Sequence, residues 1–334
     1  SWRAVSMLCR YTFSLESNVK LDHTLVFQIG DRQFELVPED GRLAALAVEI
    51  SGLSTSDAGS VDIPDSRNAT PHIKVCAPAL DEIKAQIHAF RGALAMWGVF
   101  AIDTELPKSK FVAETDAERD QMALFGFEPG FVPPHEQEPK EGPLDLIIRT
   151  IVSSDRFVEL AIPFEFYRRG RQDVLKRQYI EAFYDFFFCV EFLFADGKYK
   201  KKSVEQSFHD SAELMRAIRE AVRHFRSDRR VFTNLSKSEH QYFSRHYSQS
   251  AEEAASHVID VRGFLHHQSG RRPENWDPST QVTYRVHAHF LEWVCLVALQ
   301  QVGTPILFEE GEVQRFQQTT VSTSDGRRVN WDMG

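Results

Sequence analysis

The stretch from Tyr179 to Phe194 constrains this chain more than any other. Its residues are apolar on almost every side, interrupted only by Glu181, Asp185 and Glu191. It is too short and too charged for a membrane span, and reads as a helix buried inside the protein. A helix apolar on nearly all sides belongs at the centre of a bundle.

The sequence around it supplies the other helices. Apolar periodicity predicts helices over 173–195, 203–227, 237–248, 250–268 and 281–301. Gly197 and the lysines Lys198, Lys200, Lys201 and Lys202 separate the first two, and a loop from Gly270 to Ser279 separates the last two. Short connections between long helices make antiparallel neighbours, hence an all-α bundle.

The first half of the chain patterns differently. Leu8 to Leu15 alternates, and Thr24 to Val37 reads as a hairpin turning at Gly30-Asp31. Arg42 to Ile50, His72 to Cys76 and Val99 to Thr104 continue as strands. Ile83, Ile87, Phe90, Leu94 and Trp97 mark one helix, ended by Gly98. The stretch from Glu128 to Pro143, with five prolines, is a long loop, after which Leu144 to Val152 and Phe157 to Tyr167 read as extended. The expected fold class is therefore α+β. Residues 1–167 form a β-rich sensor or regulatory domain, 168–308 the helical bundle, and 309–334 a polar peripheral tail.

Charge is distributed unevenly within a net −9: residues 1–167 carry −11, 168–230 carry +5, and the rest −3. The basic segment, with Lys200, Lys201, Lys202, Arg223 and Arg226, is the candidate surface for a polyanion. Cys9, Cys76, Cys189 and Cys295 lie far apart without metal-finger spacing, as expected of buried thiols in a reducing cytoplasm. The opening residues lack the apolar core of a secretory signal. The nucleotide-loop, zinc-protease and nucleophile-elbow motifs are absent. Thirteen histidines show no ligand spacing; His287 and His289 point about 200° apart on a helix turning roughly 100° per residue. No metal and no cofactor is expected.

Val261-Arg262-Gly263-Phe264-Leu265-His266-His267 closes the helix that begins near Ala251. A guanidinium is a permanent, forked cation suited to phosphate oxygens, and an imidazole exchanges protons near neutrality. On an ideal helix Arg262 and His266 share a face, while His267 sits about 140° away unless glycine loosens the last turn. Arg262 pairs with Asp260 or solvent if the segment is only surface. Glu191, among Phe187, Phe188 and Phe194, needs a cation if buried, and Arg262 is the candidate; the alternative is a carboxylate reaching towards Lys198 or Lys200.

Together, Tyr179-Ile180-Glu181-Ala182-Phe183-Tyr184 running into Val190-Glu191-Phe192-Leu193-Phe194, followed by Arg262-x4-His267 near a helix end, resemble the HEPN superfamily (higher eukaryotes and prokaryotes nucleotide-binding). The resemblance is especially to the Apea-like branch found in bacterial defence proteins, and covers roughly Gln178 to Gln301. The resemblance implies a metal-independent endoribonuclease working as a homodimer. Each copy would bring Arg262 and His267, or His266 in its place, to one cleft, with Glu191 and Asp260 behind them. The ribose 2′-hydroxyl would attack the adjacent phosphorus. The residue after the arginine departs from the pattern: active members commonly carry Asn, Asp or His there, and this chain has Gly263. The second expectation is therefore an inactive HEPN dimer that binds RNA, a nucleotide or a protein.

Overall fold

A computed structural model describes residues 7–54, 60–62, 72–74, 78–105, 107–113, 115–122, 125–127, 138–227, 236–248, 250–266, 277, 279 and 281–329. The chain is α+β and divides into two compact units, residues 1–158 with 309–334, and residues 159–308.

The first unit is built on an antiparallel sheet. Its strands are β1 (Met7–Ser17), β2 (Leu25–Ile29), β3 (Arg32–Glu39), β4 (Arg42–Leu53), β7 (Val99–Ile102), β8 (Lys108–Ala113), β9 (Gly126–Phe127) and β10 (Val321–Thr323). β5 (Ser60–Asp62) and β6 (His72–Lys74) pair separately. The order is β10-β2-β3-β4-β1-β8-β9, and β7 pairs with the far end of β1. In β1 the residues Met7, Cys9, Tyr11, Phe13 and Leu15 all turn inward, the period-two pattern of a strand with one face in a core. The hairpin at Gly30-Asp31 forms as expected, with Gly30 at φ 61°. At the next turn Asp40 and Gly41 both have positive φ, the backbone that suits a tight right-twisted hairpin. α1 (Pro78–Leu94) ends in a short 3-10 turn stopped by Gly98 at φ 93°, and Trp97 donates from Nε1 to Thr150 Oγ1 at 3.0 Å. The short helix α2 is Asp116–Arg119.

Two expectations are corrected here. Leu144 to Val152 is not extended but a helix, α3 (Leu144–Val152), and Phe157 to Tyr167 lies in a 3-10 stretch followed by α4 (Ala161–Leu175). Ile147, Ile148, Thr150, Ile151 and Val152 favour strands, but burial of Ile147, Ile148 and Ile151 at helical spacing outweighs that propensity. Pro163 is tolerated because it sits in the first turn of α4, where its missing N–H would have had no partner.

The boundary moves with them, from Arg168 to Val158/Glu159, since α4 packs on the bundle through Phe164, Tyr167 and Gly170. The segment after 308 is not a peripheral tail. α11 (Glu310–Gln318) lays Phe316 under the Arg149 guanidinium, 4.1 Å from the ring centroid, and β10 closes the sheet edge against β2.

The second unit is all helical: α4, α5 (Tyr179–Phe194), α6 (Lys201–Asp210), α7 (Ala212–Ser227), α8 (Lys237–His246), α9 (Ala251–His266) and α10 (Arg285–Leu307). The expected helix 203–227 is interrupted at Ser211, whose hydroxyl accepts from Leu214 N and starts α7. α5 is central, with Phe183, Phe186, Phe187 and Cys189 almost fully buried against α4 and α10. The span Gln281–Leu307 is long and apolar enough to cross a membrane by length and composition. A core helix passes the same test, and here Phe290, Val294, Cys295 and Ala298 pack inside the bundle. Cys9, Cys189 and Cys295 are buried, and Cys76 lies outside the described residues.

Candidate functional site

α5 and α9 position the sequence-predicted site. Val258, Ile259, Val261 and Leu265 hold α9 in the bundle, which leaves Arg262 at its edge. There its Nη2 lies 3.9 Å from Glu191 Oε1 of α5, with both side chains about one-quarter exposed. The guanidinium also stands 5.6 Å from the centroid of the Phe187 ring, close enough for a cation–π contact.

The expected Arg262–Glu191 pairing is therefore present, as a loose ion pair without a hydrogen bond. Among the described residues Glu191 Oε1 accepts no hydrogen bond. Burial raises the Glu191 carboxyl above the ordinary carboxylate range, and Arg262 pulls it partly back. Burial likewise raises the Tyr184 phenol, with Arg262 opposing. Phe187 thus borders the guanidinium, and the Tyr184 phenol feels its charge. Their spacing to Glu191 on α5 is the only sequence signal for that role.

The remaining predicted residues scatter. His266 is the exposed last residue of α9, and His267 lies outside the described residues. Asp260 does not serve Arg262: it pairs with Lys201 at 2.5 Å, on an exposed face. Two residues along a helix is about 200° of rotation, which carries Asp260 away from Arg262. Lys200 and Lys202 are exposed at the start of α6, where the Lys200 carbonyl accepts from Ser203 and Val204. Arg223 pairs with Glu220 at 2.6 Å, and Arg226 is exposed in the last turn of α7.

Beside Arg262 runs an apolar strip. Tyr184, Phe188 and Phe192 follow at four-residue spacing on α5, with Phe192 49% exposed. Phe166 of α4 meets Phe188 at 5.6 Å between centroids, and Ile162, one turn earlier, is 54% exposed.

On the other side of α9 lies a cluster that the sequence does not announce. His246 of α8 stacks on His257 of α9 with centroids 4.3 Å apart, and His287 of α10 lies 5.6 Å from His257. Tyr242 Oη meets His257 Nε2 at 3.1 Å, and Tyr247 Oη meets His287 Nδ1. Burial holds His257 down to about 4 and His287 down to about 3, and neighbouring imidazoles add to both shifts. An open pocket of about 420 Å³ adjoins it, lined by His209, Arg245, His246, Glu253, Ser256 and His257 among others. Among the described residues no three His, Cys, Asp or Glu side chains are grouped to hold a metal ion.

No family model matches this chain, and neither a curated protein nor a solved structure does.

Proposed function

We propose that the chain is a metal-independent endoribonuclease of HEPN type, acting in the cytoplasm as a homodimer. Its first unit senses a trigger or restrains the nuclease, an arrangement suited to antiviral defence. The observation that carries the reading is the position of Arg262. It is a partly buried cation on a helical bundle, backed by Glu191 and Phe187 and bordered by a strip in which Ile162 and Phe192 are exposed and Phe166, Tyr184 and Phe188 partly so. Two such strips facing each other across a two-fold axis would remove apolar surface from water at about 25 cal/mol per Å². They would also bring two arginines and the ends of two α9 helices together.

In that cleft the 2′-hydroxyl of RNA attacks the adjacent phosphorus. Arg262 neutralises charge gathering on the phosphoryl oxygens, and an imidazole at the end of α9, His267 or His266, exchanges the proton. Lys200, Lys201, Lys202, Arg223 and Arg226 hold the backbone of the strand. The test is RNA incubated in EDTA with the wild type, Arg262→Ala, His266→Ala and His267→Ala. The reading expects cleavage without metal that is lost in Arg262→Ala and in one histidine variant. A magnesium requirement, or cleavage that survives every substitution, overturns it.

A second reading has its own observation. Glu191 already offsets the Arg262 charge, and Gly263 places no polar side chain beside it. An HEPN dimer that binds RNA, a nucleotide or a protein without cutting is the function these two features favour. Binding of RNA with no cleavage, abolished by Arg262→Ala, would select it.

A further inference from the structure

The chain passes from α5 to α6 through a short turn, residues 195–200, that carries an aromatic ring among lysines. Tyr199 is 74% exposed, the highest value of any large apolar side chain among the described residues. A lone apolar side chain on a surface is ordinary and means nothing by itself. Here the run Lys198-Tyr199-Lys200-Lys201-Lys202 encloses the ring, and the fold holds it in place.

The backbone is fixed on both sides of Tyr199. Asp196 and Gly197 adopt left-handed φ of 50° and 69°, and Lys198 N donates to Ala195 O at 2.9 Å, which closes the turn. The Lys198 ammonium donates to Ser207 Oγ of α6 at 2.8 Å. Beyond the ring, the Lys200 carbonyl accepts from Ser203 N and Val204 N at 2.8 and 2.9 Å, and the Lys201 ammonium is held by Asp260 of α9 at 2.5 Å. The ring is thus presented from an anchored segment, and a flat group settling on it has little backbone to order.

Asp260 offsets Lys201, and Asp196 is exposed at the start of the turn, so the segment offers a few ammoniums and one ring rather than a broad basic patch. Lys200 and Lys202 are the exposed cations that follow the ring. Single-stranded nucleic acid is held by that combination, bases on aromatic faces and phosphates beside lysines. A duplex keeps its bases stacked on one another and offers no free face. The turn is also close to Arg262. Glu191, which faces Arg262, and Ala195 are joined by a helical hydrogen bond and lie about 6 Å apart along the axis. Four further residues reach at most about 15 Å, so the Tyr199 backbone is within about 21 Å of the Glu191 backbone. That is on the order of six nucleotides of stacked strand at roughly 3.4 Å each.

We propose that Tyr199 stacks an unpaired base of the RNA strand that is cut at Arg262, with Lys200 and Lys202 on the neighbouring phosphates. The inference rests on the ribonuclease reading for its substrate and deepens it: the RNA is single-stranded where it crosses the turn. Tyr199 is a positioning residue for the strand and takes no part in the bond changes.

The experiment reads binding apart from cleavage. A fluorescein-labelled 2′-O-methyl strand of about 12 nucleotides, which has no 2′-hydroxyl to attack and is long enough to span both positions, is the probe. It is titrated with the full chain in EDTA at several salt concentrations, single and annealed to its complement, and read by anisotropy. Tyr199→Leu keeps an apolar side chain without a ring, and is expected to weaken the single strand about 5-fold or more at every salt concentration. Tyr199→Phe is expected to bind as the wild type does, and the duplex to bind Tyr199→Leu and wild type alike. Lys200→Ala combined with Lys202→Ala is expected to flatten the salt dependence, which Tyr199→Leu leaves unchanged. Thermal melts of the Tyr199 variants should match the wild type, since the ring stands mostly in water. Single-strand binding undiminished in Tyr199→Leu, or weakened equally for strand and duplex, overturns the inference. The ribonuclease reading then still stands if an all-ribose strand is cut by the wild type and not by Arg262→Ala. Ring-dependent binding with no cut of the all-ribose strand removes the nuclease and leaves the stacking in place. No binding by the wild type overturns the inference outright.

Discussion

Tyr247, at the end of α8, and His287 of α10 share a buried hydrogen bond, and the imidazole so held stands 5.6 Å from a second, His257. Burial and the neighbouring imidazoles outweigh the pull of Asp260 on His257, so both rings stay neutral when folded, titrating at about 3 for His287 and about 4 for His257. In the unfolded chain a histidine takes its proton near pH 6.5.

The sign follows directly. Below pH 6.5 the unfolded chain binds more protons than the folded one, so stability is full above that value and falls as pH drops towards 4. Thermal melts between pH 7.5 and 5 should therefore show a decreasing Tm before the carboxylates begin to titrate. His257→Phe should flatten the slope in that window. An unchanged slope would mean that the ring is solvated in the native state.

Arg262 and Glu191 provide a stability test independent of activity. Arg262→Ala leaves a half-buried carboxylate without its cation, and should cost about 1–2 kcal/mol in urea unfolding, less than a fully buried pair because both groups keep some water. Adding Glu191→Gln should recover part of that loss. Additive effects of the two changes would show that the pair is not coupled.

Gly170 and Gly263 should answer substitution in opposite ways. A Cβ on Gly170 would lie 2.6 Å from the Phe186 ring, so Gly170→Ala should cost about 1–3 kcal/mol through overpacking between α4 and α5. A Cβ on Gly263 meets nothing within 4 Å, so Gly263→Ala should stabilise by about 0.5–1 kcal/mol through helix propensity. Gly263→Asn restores the polar neighbour that the HEPN resemblance expects after the arginine, and should raise RNA cleavage above wild type. Equal cleavage by both Gly263 variants would deny that neighbour a role.

Removing residues 309–334 should destabilise the first unit. The deletion takes β10 from β2 and exposes a sheet edge, and it removes Phe316 from Arg149 and Glu312 from Ser153. Aggregation or a lowered Tm is expected, measured by light scattering and calorimetry.

These relationships differ in how far the sequence discloses them. The hairpin at Gly30-Asp31 and the helix ended by Gly98 were legible because turn residues bracket clear periods. α5 was legible because so apolar a stretch has few places to go. Leu144 to Val152 misled because its isoleucines and valine favour strands, and only burial on one side makes it a helix. β10 is three residues long, too short for any period, and is created by its partner. The Arg262–Glu191 pair could be guessed from two apolar helices, each with one charge to satisfy. The contacts of Glu292 with Arg171 and His289 could not, since nothing in sequence links α4 to α10.

The most direct measurement of the central claim uses two oligonucleotides of one sequence, one all-ribose and one carrying 2′-deoxyribose throughout, each incubated with the protein in EDTA. The account predicts that only the ribose strand is cut, with cyclic phosphate ends, and that Arg262→Ala abolishes the cut. Cleavage of both strands, or of neither, would contradict it.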